Sequence, residues 1–176
     1  QDKRNACAAL DPSLPLRVTT NIPLTFYILS GEIIPIVVGE CNMQWQRENF
    51  IISDAHSAVD LDFVEAMLRS NYWAPDRPRP VIEAAIRGSI PFSLFDGEQS
   101  VGFARAVTDR ATFAWIADVM IAPAYRGQGL GKWLIQCVLE HPAIASTATQ
   151  LLRTRDAHGL YTKFGFEVVE SMGRKP

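Results

Sequence analysis

Glycines stand at 127, 129 and 131, with Arg126 just before them and Lys132 just after the last. Lacking Cβ, alternating glycines let successive backbone N–H groups approach an anion closely. The spacing of Leu130, Leu134, Cys137 and Val138 marks an amphipathic helix that opens directly from this loop. The first amides of a helix have no partner within it and carry the positive end of its dipole. A glycine loop running into a helix N-terminus is therefore a cradle for pyrophosphate. An apolar, strand-like run ends just before the loop, with Pro123 in the turn between them.

Spacing separates the known cradles. A Walker A loop needs glycine at 126 and serine or threonine after Lys132, where this chain has Arg126 and Trp133. A Rossmann fingerprint begun at Gly127 needs glycine at 132, where Lys132 stands. Arg126-x-x-Gly129-x-Gly131 behind an apolar strand resembles instead the CoA-binding motif of the GNAT acetyltransferase superfamily. Residues 151–167 strengthen the resemblance: a strand, a short helix bearing Tyr161, then Gly165-Phe166 entering a further strand. Gly165 suits the position just past a helix end, and Asp156 reads as that helix's N-cap. The resemblance covers about residues 50 to 170.

The resemblance implies an α/β (α+β) GNAT fold: a mixed central sheet, helices on both faces, and central parallel strands that splay to admit the cofactor. It implies acetyl-CoA as co-substrate, no metal, and direct attack in a ternary complex by a primary amine of a small molecule or an amino terminus. Pyrophosphate would lie on the backbone of Arg126, Gly127, Gln128, Gly129, Leu130, Gly131 and Lys132. Main-chain groups of Val119 and Ile121 would hold the pantetheine arm, the Val119 N–H polarising the acetyl carbonyl. Tyr161 matches the family's general acid for the thiolate, and a thiol near 8.5 and a phenol near 10 lie close enough for that transfer.

Asp118 is the candidate base, since a carboxylate amid Trp115, Ile116, Ala117, Val119 and Met120 is costly to bury without purpose. The other reading pairs it with a nearby arginine. His158 is the runner-up base, while His56 and His141 read as surface residues. The loop after the first helix offers Tyr72, Trp73, Asp76 and Arg77, which could hold a cationic amine, or Trp73 could simply anchor the loop. The alternative function is a non-catalytic acyl-CoA-binding or regulatory GNAT domain. No His-Glu-x-x-His or Gly-x-Ser-x-Gly pattern supports a metalloprotease or hydrolase.

Positioning these groups takes an ordinary domain, and 176 residues suffice for one. Hydrophobic content of 48% against 20% charged excludes a disordered chain. A net charge of −2 gives no electrostatic case for nucleic acid. Cys7, Cys41 and Cys137 are odd in number and lack Cys-x-x-Cys spacing, which points to a reducing, cytoplasmic setting without structural zinc. The apolar run 22–39 is broken by Pro23, Ser30, Gly31, Glu32 and Pro35, so no membrane span is expected. Residues 1–42 read as an N-terminal extension outside the native domain, and 43–176 as the domain itself. The expected partner is a small-molecule amine, with no nucleic acid or membrane, and a homodimer is left open.

Turn signals and periodicity predict strands at 50–53, 90–95, 100–107, 112–121, 150–154 and 166–169. They predict helices at 60–70, at 81–87, from 129 to a stop at His141-Pro142, and at 157–164.

Overall fold

The structure, a computed structural model, describes residues 17–21, 24–29 and 32–37 by their backbone and residues 42–174 in full. Strand β1 (Arg17–Asn21) is followed by a separate two-stranded hairpin of β2 (Leu24–Leu29) and β3 (Glu32–Val37). Next come β4 (Asn42–Arg47) and β5 (Phe50–Ser53), then β6 (Ile90–Asp96), β7 (Gln99–Thr108), β8 (Phe113–Ile121) and β9 (Thr149–Leu152). The main sheet has seven strands in the order β1-β4-β5-β6-β7-β8-β9. All its pairings are antiparallel except β8 with β9.

In β4, Met43 and Trp45 are buried while Gln44 and Gln46 face water, the period-two pattern of a strand with one face on a core. The sequence reading begins the sheet at Phe50 and misses this strand. Three amides among its six residues hide an alternation carried by only two apolar side chains. Within the segment expected as an extension, β1 pairs with β4 from Arg17 opposite Gln46 to Asn21 opposite Asn42. Cys7, Cys41 and residues 1–16 lie outside the described residues.

Helices cover both faces. Helix α1 (Leu61–Arg69) starts where the Asp60 carboxylate accepts the Phe63 N–H at 3.0 Å, and it buries Val64, Met67 and Leu68. Helix α2 (Arg79–Arg87) has Pro80 in its first turn, where a missing N–H does no harm, and buries Ile82 and Ile86. These side chains form one core with Phe103 and Met120. Helix α3 (Leu130–Glu140) buries Leu130, Leu134, Cys137 and Val138, as the spacing predicts, against Trp45, Phe92, Ala114 and Ile116 in a second core. Desolvation also pushes the Cys137 thiol well above its usual range, so it is a packing group. Among the described residues, no helix is long and apolar enough to cross a membrane.

Three expectations are corrected. Helix α4 (Pro142–Ala145) is capped by the imidazole of His141, which is buried rather than on the surface: Nδ1 accepts the Ala143 N–H and Nε2 meets Asp54 at 3.1 Å. Helix α5 (His158–Tyr161) and the 3-10 turn after it end at Gly165, whose φ of 80° fits its expected place. Its cap, however, is not Asp156, because the Ala157 N–H donates to Thr154 Oγ1 at 3.0 Å while Asp156 stays in water beside Arg155. Residues 166–169 form no strand; Val168 and Val169 are 85% and 60% exposed, and among the described residues no neighbouring strand pairs with them.

Candidate active site

Strand β8 is the axis of the site. Its first half pairs with β9, from Phe113 opposite Thr149 to Ile116 opposite Leu152, and there the pairing stops. Residues 117–121 continue with β7 on one side and, among the described residues, no strand on the other. This is the splay expected of parallel neighbours in a GNAT sheet, and it leaves a row of backbone groups open at the strand edge.

The chain then makes a 3-10 turn (Pro123–Tyr125) and enters the glycine loop. The Arg126 N–H donates to Pro123 O, and the next amide with a backbone acceptor is that of Trp133, bonded to Gly129 O at 3.1 Å. The amides of residues 127 to 132 between them donate to no backbone acceptor among the described residues, as an anion cradle requires. Gly127 and Gly129 sit at φ of 82° and 78°, the left-handed region where a side chain is strained. The side chains of Arg126 and Gln128 fold back onto Ile121 O and Ala124 O, bracing the turn. Leu130 is buried and Lys132 exposed at the start of α3.

A β-bulge interrupts β8 beside this edge. Arg105 pairs with Ala117 and Phe103 with Met120, so Asp118 and Val119 together oppose Ala104. Asp118 takes up the extra residue at φ of 51°, a conformation that aspartate tolerates better than most side chains. Ala114 and Ile116 before the bulge pack on the α3 side, whereas Met120 after it packs under α1 and α2. Val119 and Ile121 pack partly on the α3-side core. Asp118 is buried, and its Oδ2 accepts both Arg105 Nε at 2.6 Å and Arg77 Nη1 at 2.9 Å. The arginine-paired reading of Asp118 is thus present as geometry.

Arg77 ties the loop between α1 and α2 to the bulge, and a second cation ties that loop to the far side of the gap. The Arg155 guanidinium lies 3.6 Å from the Tyr72 ring, and Tyr72 meets Trp73 edge to face at 5.0 Å. Tyr72 and Trp73 are 46% and 40% exposed, and Asp76 is exposed as well. Tyr161 is buried, packed edge to face on Phe166 at 5.9 Å. Burial, helped by Tyr72, pushes its phenol up from 10 to about 12. His158 is exposed one turn earlier in α5.

The structure therefore brings Arg77 and Asp118 together at the bulge and sets Tyr72 within electrostatic reach of Tyr161, while Asp76 and His158 make no polar contact among the described residues. Sequence reasoning missed Arg105 and Arg155. The signal for Arg105 was available: a lone cation in the otherwise apolar run Val101-Gly102-Phe103-Ala104-Arg105-Ala106-Val107. A cavity of about 690 Å³ at the opposite end of the sheet, lined in part by Arg87, Arg110, Asp54 and His141, shares none of these residues.

A family model described as an acetyltransferase (GNAT) domain matches residues 88–168. An uncharacterized N-acetyltransferase of Pyropia yezoensis is 32% identical over 122 residues, covering 66% of this chain and 70% of that protein. A putative acetyltransferase of Gibberella zeae is 30% identical over 54% of this chain and 66% of its own length. Several other curated acetyltransferases are spanned over half their length or less. A crystal structure of a putative GNAT-family acetyltransferase from Xanthomonas campestris superposes with a TM-score of 0.70 at 34% identity, over 72% of this chain and 93% of that one. With the splayed strand, the glycine cradle and these relatives agreeing, the chain belongs to the GNAT acetyltransferase family.

Proposed function

We propose that the chain is an acetyl-CoA-dependent N-acetyltransferase that modifies a primary amine of a small molecule or an amino terminus by direct attack in a ternary complex. The observation that carries this reading is the run of uncommitted amides at 127–132 beside the open edge of β8. Those amides and the α3 dipole suit a pyrophosphate, and the open edge offers the pantetheine arm the hydrogen bonds that β9 does not make. The Val119 N–H, at the bulge, is the donor assigned to the acetyl oxygen as charge develops on it.

Tyr161 is the proposed proton donor to the leaving thiolate. With its phenol near 12, complete transfer to a free thiolate near 8.5 lies about 5 kcal/mol uphill. Tyr161 would therefore act first as a hydrogen-bond donor, the proton crossing as the same dry surroundings raise the sulfur's own proton affinity. Asp118, whose Oδ2 is engaged by two guanidiniums, fits a positioning part that fixes the bulge and so aims Val119. The incoming amine then loses its proton to water. A cytoplasmic setting and the domain boundary at Met43 belong to the same proposal.

The test is mass-spectrometric detection of acetylated product from an amine panel, with the acetyl-CoA-induced rise in melting temperature read alongside. Turnover together with a thermal shift is expected. A shift with no turnover on any amine would favour an acyl-CoA-binding domain, and no shift at saturating acetyl-CoA overturns both readings.

A further inference from the structure

Two guanidiniums share one carboxylate oxygen beneath the α1–α2 loop. Arg105 gives Nε and Arg77 gives Nη1 to Asp118 Oδ2, and these are the hydrogen bonds that either side chain makes among the described residues. A guanidinium has five N–H donors in a rigid fork, so most of the donors on both are uncommitted. The side chains are only 13% and 24% exposed, yet none of their unpaired nitrogens is sealed from solvent among the described residues, so an incoming anion can reach them. The charges do not balance either: two cations face one carboxylate, leaving one positive charge in excess. Arg155, stacked on Tyr72, adds another cation at the rim, its own carboxylate partner being the solvent-facing Asp156 at 3.8 Å.

This arrangement is a poor receiver for a polyamine or a lysine-rich segment, which would meet like charge. It suits the opposite kind of acceptor. We infer that the acceptor is a small primary amine that also carries a carboxylate or phosphate group, bound by the uncommitted donors of Arg77 and Arg105 against a wall of Tyr72 and Trp73. Bidentate pairing of an oxyanion with a guanidinium fork is the contact these donors are shaped for. The same excess positive charge favours the neutral, nucleophilic form of the amine, so no strong base is required beside Asp118. The inference rests on the acetyltransferase reading above, since it names the acceptor of that site.

The experiment compares matched substrates on the full chain with acetyl-CoA: phenylalanine against phenylethylamine, and 2-aminoethyl phosphate against ethylamine. The anionic member of at least one pair should win in kcat/KM by about tenfold or more, as expected for one charge-assisted contact, and the winning pair tells carboxylate from phosphate. Arg77→Gln should erase that preference mainly through KM, while Arg77→Lys keeps part of it. A binding arm covers slow chemistry. With CoA saturating, 3-phenylpropanoate or inorganic phosphate should raise the melting temperature of the parent but not of Arg77→Gln, provided that both respond equally to CoA. Equal or better turnover of the partners that lack the anionic group, or of an oligolysine peptide, overturns the inference while leaving the acetyltransferase intact. Absence of any CoA-induced shift instead removes the acetyltransferase reading itself, so the two failures are distinguishable.

Discussion

Asp54 and Asp118 are buried carboxylates with the same side-chain exposure, 5%, and they are held in opposite ways. Asp54 sits at the opposite end of the sheet, beside the cavity. Its Oδ1 accepts the Met43 N–H at 2.6 Å and its Oδ2 meets His141 Nε2, while the other imidazole nitrogen accepts from Ala143. Trp45 and Phe92 pack against the imidazole at 6.2 Å and 5.6 Å, so the network is internally paired although it lines the cavity at this end. Asp118 sits at the open end, on a strained residue, with two full cations whose remaining donors have no protein acceptor among the described residues. Burial of a charge alone does not mark a functional site. What distinguishes the open end is polar capacity left over after the protein's own groups are paired.

The sharpest way to break this comparison is at the open end's backbone. Gly129→Val forces a β-branched side chain into φ of 78°, and displacing the loop amides should weaken acetyl-CoA at least ~100-fold in calorimetry. Gly131→Ala is the control. Its added Cβ would meet Ile121 Cγ1 at 3.7 Å, ordinary contact, so affinity should change less than about threefold. Equal losses in both would mean that the left-handed glycine is not what holds the cradle.

Tyr161→Phe keeps the ring on Phe166 and removes the proton, so kcat should fall roughly 10- to 1000-fold with acetyl-CoA affinity little changed. Full kcat, with chemistry shown to limit the rate, would make Tyr161 a packing residue. Its titration gives a second check. The folded-state phenol lies above its ordinary value, so the fold favours the neutral form: that contribution is whole below pH 10 and is lost as pH rises towards about 12. Chemical denaturation across that window should see the parent lose stability relative to Tyr161→Phe, whereas a flat difference would show that the hydroxyl is hydrated.

The carboxylates themselves come next. Asp54→Ala leaves the largely buried Met43 N–H and imidazole N–H without their protein acceptor, and should cost about 1–3 kcal/mol of stability. Activity of the folded protein should stay within about twofold. Asp118→Ala should cost stability too, by leaving two guanidiniums without their carboxylate, but in folded protein it should also cut activity: releasing the bulge misaims the Val119 amide and lowers kcat tenfold or more, of the order seen for a lost oxyanion donor. Finding that Asp54→Ala also cuts kcat in fully folded protein would erase the distinction between the two ends.

The two ends also differ in how much of them could be read in the sequence. The glycine loop is a backbone device written within a few consecutive residues, so the spacing of Arg126, Gly129 and Gly131 was enough to propose a cradle there. Helices α1 and α3 followed from apolar periodicity and the Asp60 cap for the same reason of locality. The Asp118 cluster joins residues 13 and 41 positions apart, and the bulge that assembles it is a register shift that no local propensity encodes. His141 was misread because its partner Asp54 lies 87 residues away. Residues 166–169 look like a strand locally, but a strand needs a neighbour, and the sheet supplies none.

The smallest effect is expected where the fold's first edge lies. A chain starting at Met43 loses β1, which pairs with β4 along the sheet's edge, but keeps β4 to β9, all the helices and both cores. An edge strand adds hydrogen bonds on one side only, and the uncovered β4 edge can bond to water. Every group assigned to acetyl-CoA lies between Val119 and Tyr161, on the other side of the sheet from that edge. The truncated chain should therefore fold, and its melting temperature should rise with acetyl-CoA by the same amount as the parent's. Insoluble protein would show that the segment before residue 43 completes the end of the sheet around Asp54 and Met43. A soluble protein without the thermal shift would place part of the acetyl-CoA site in that segment, and the boundary would have to move.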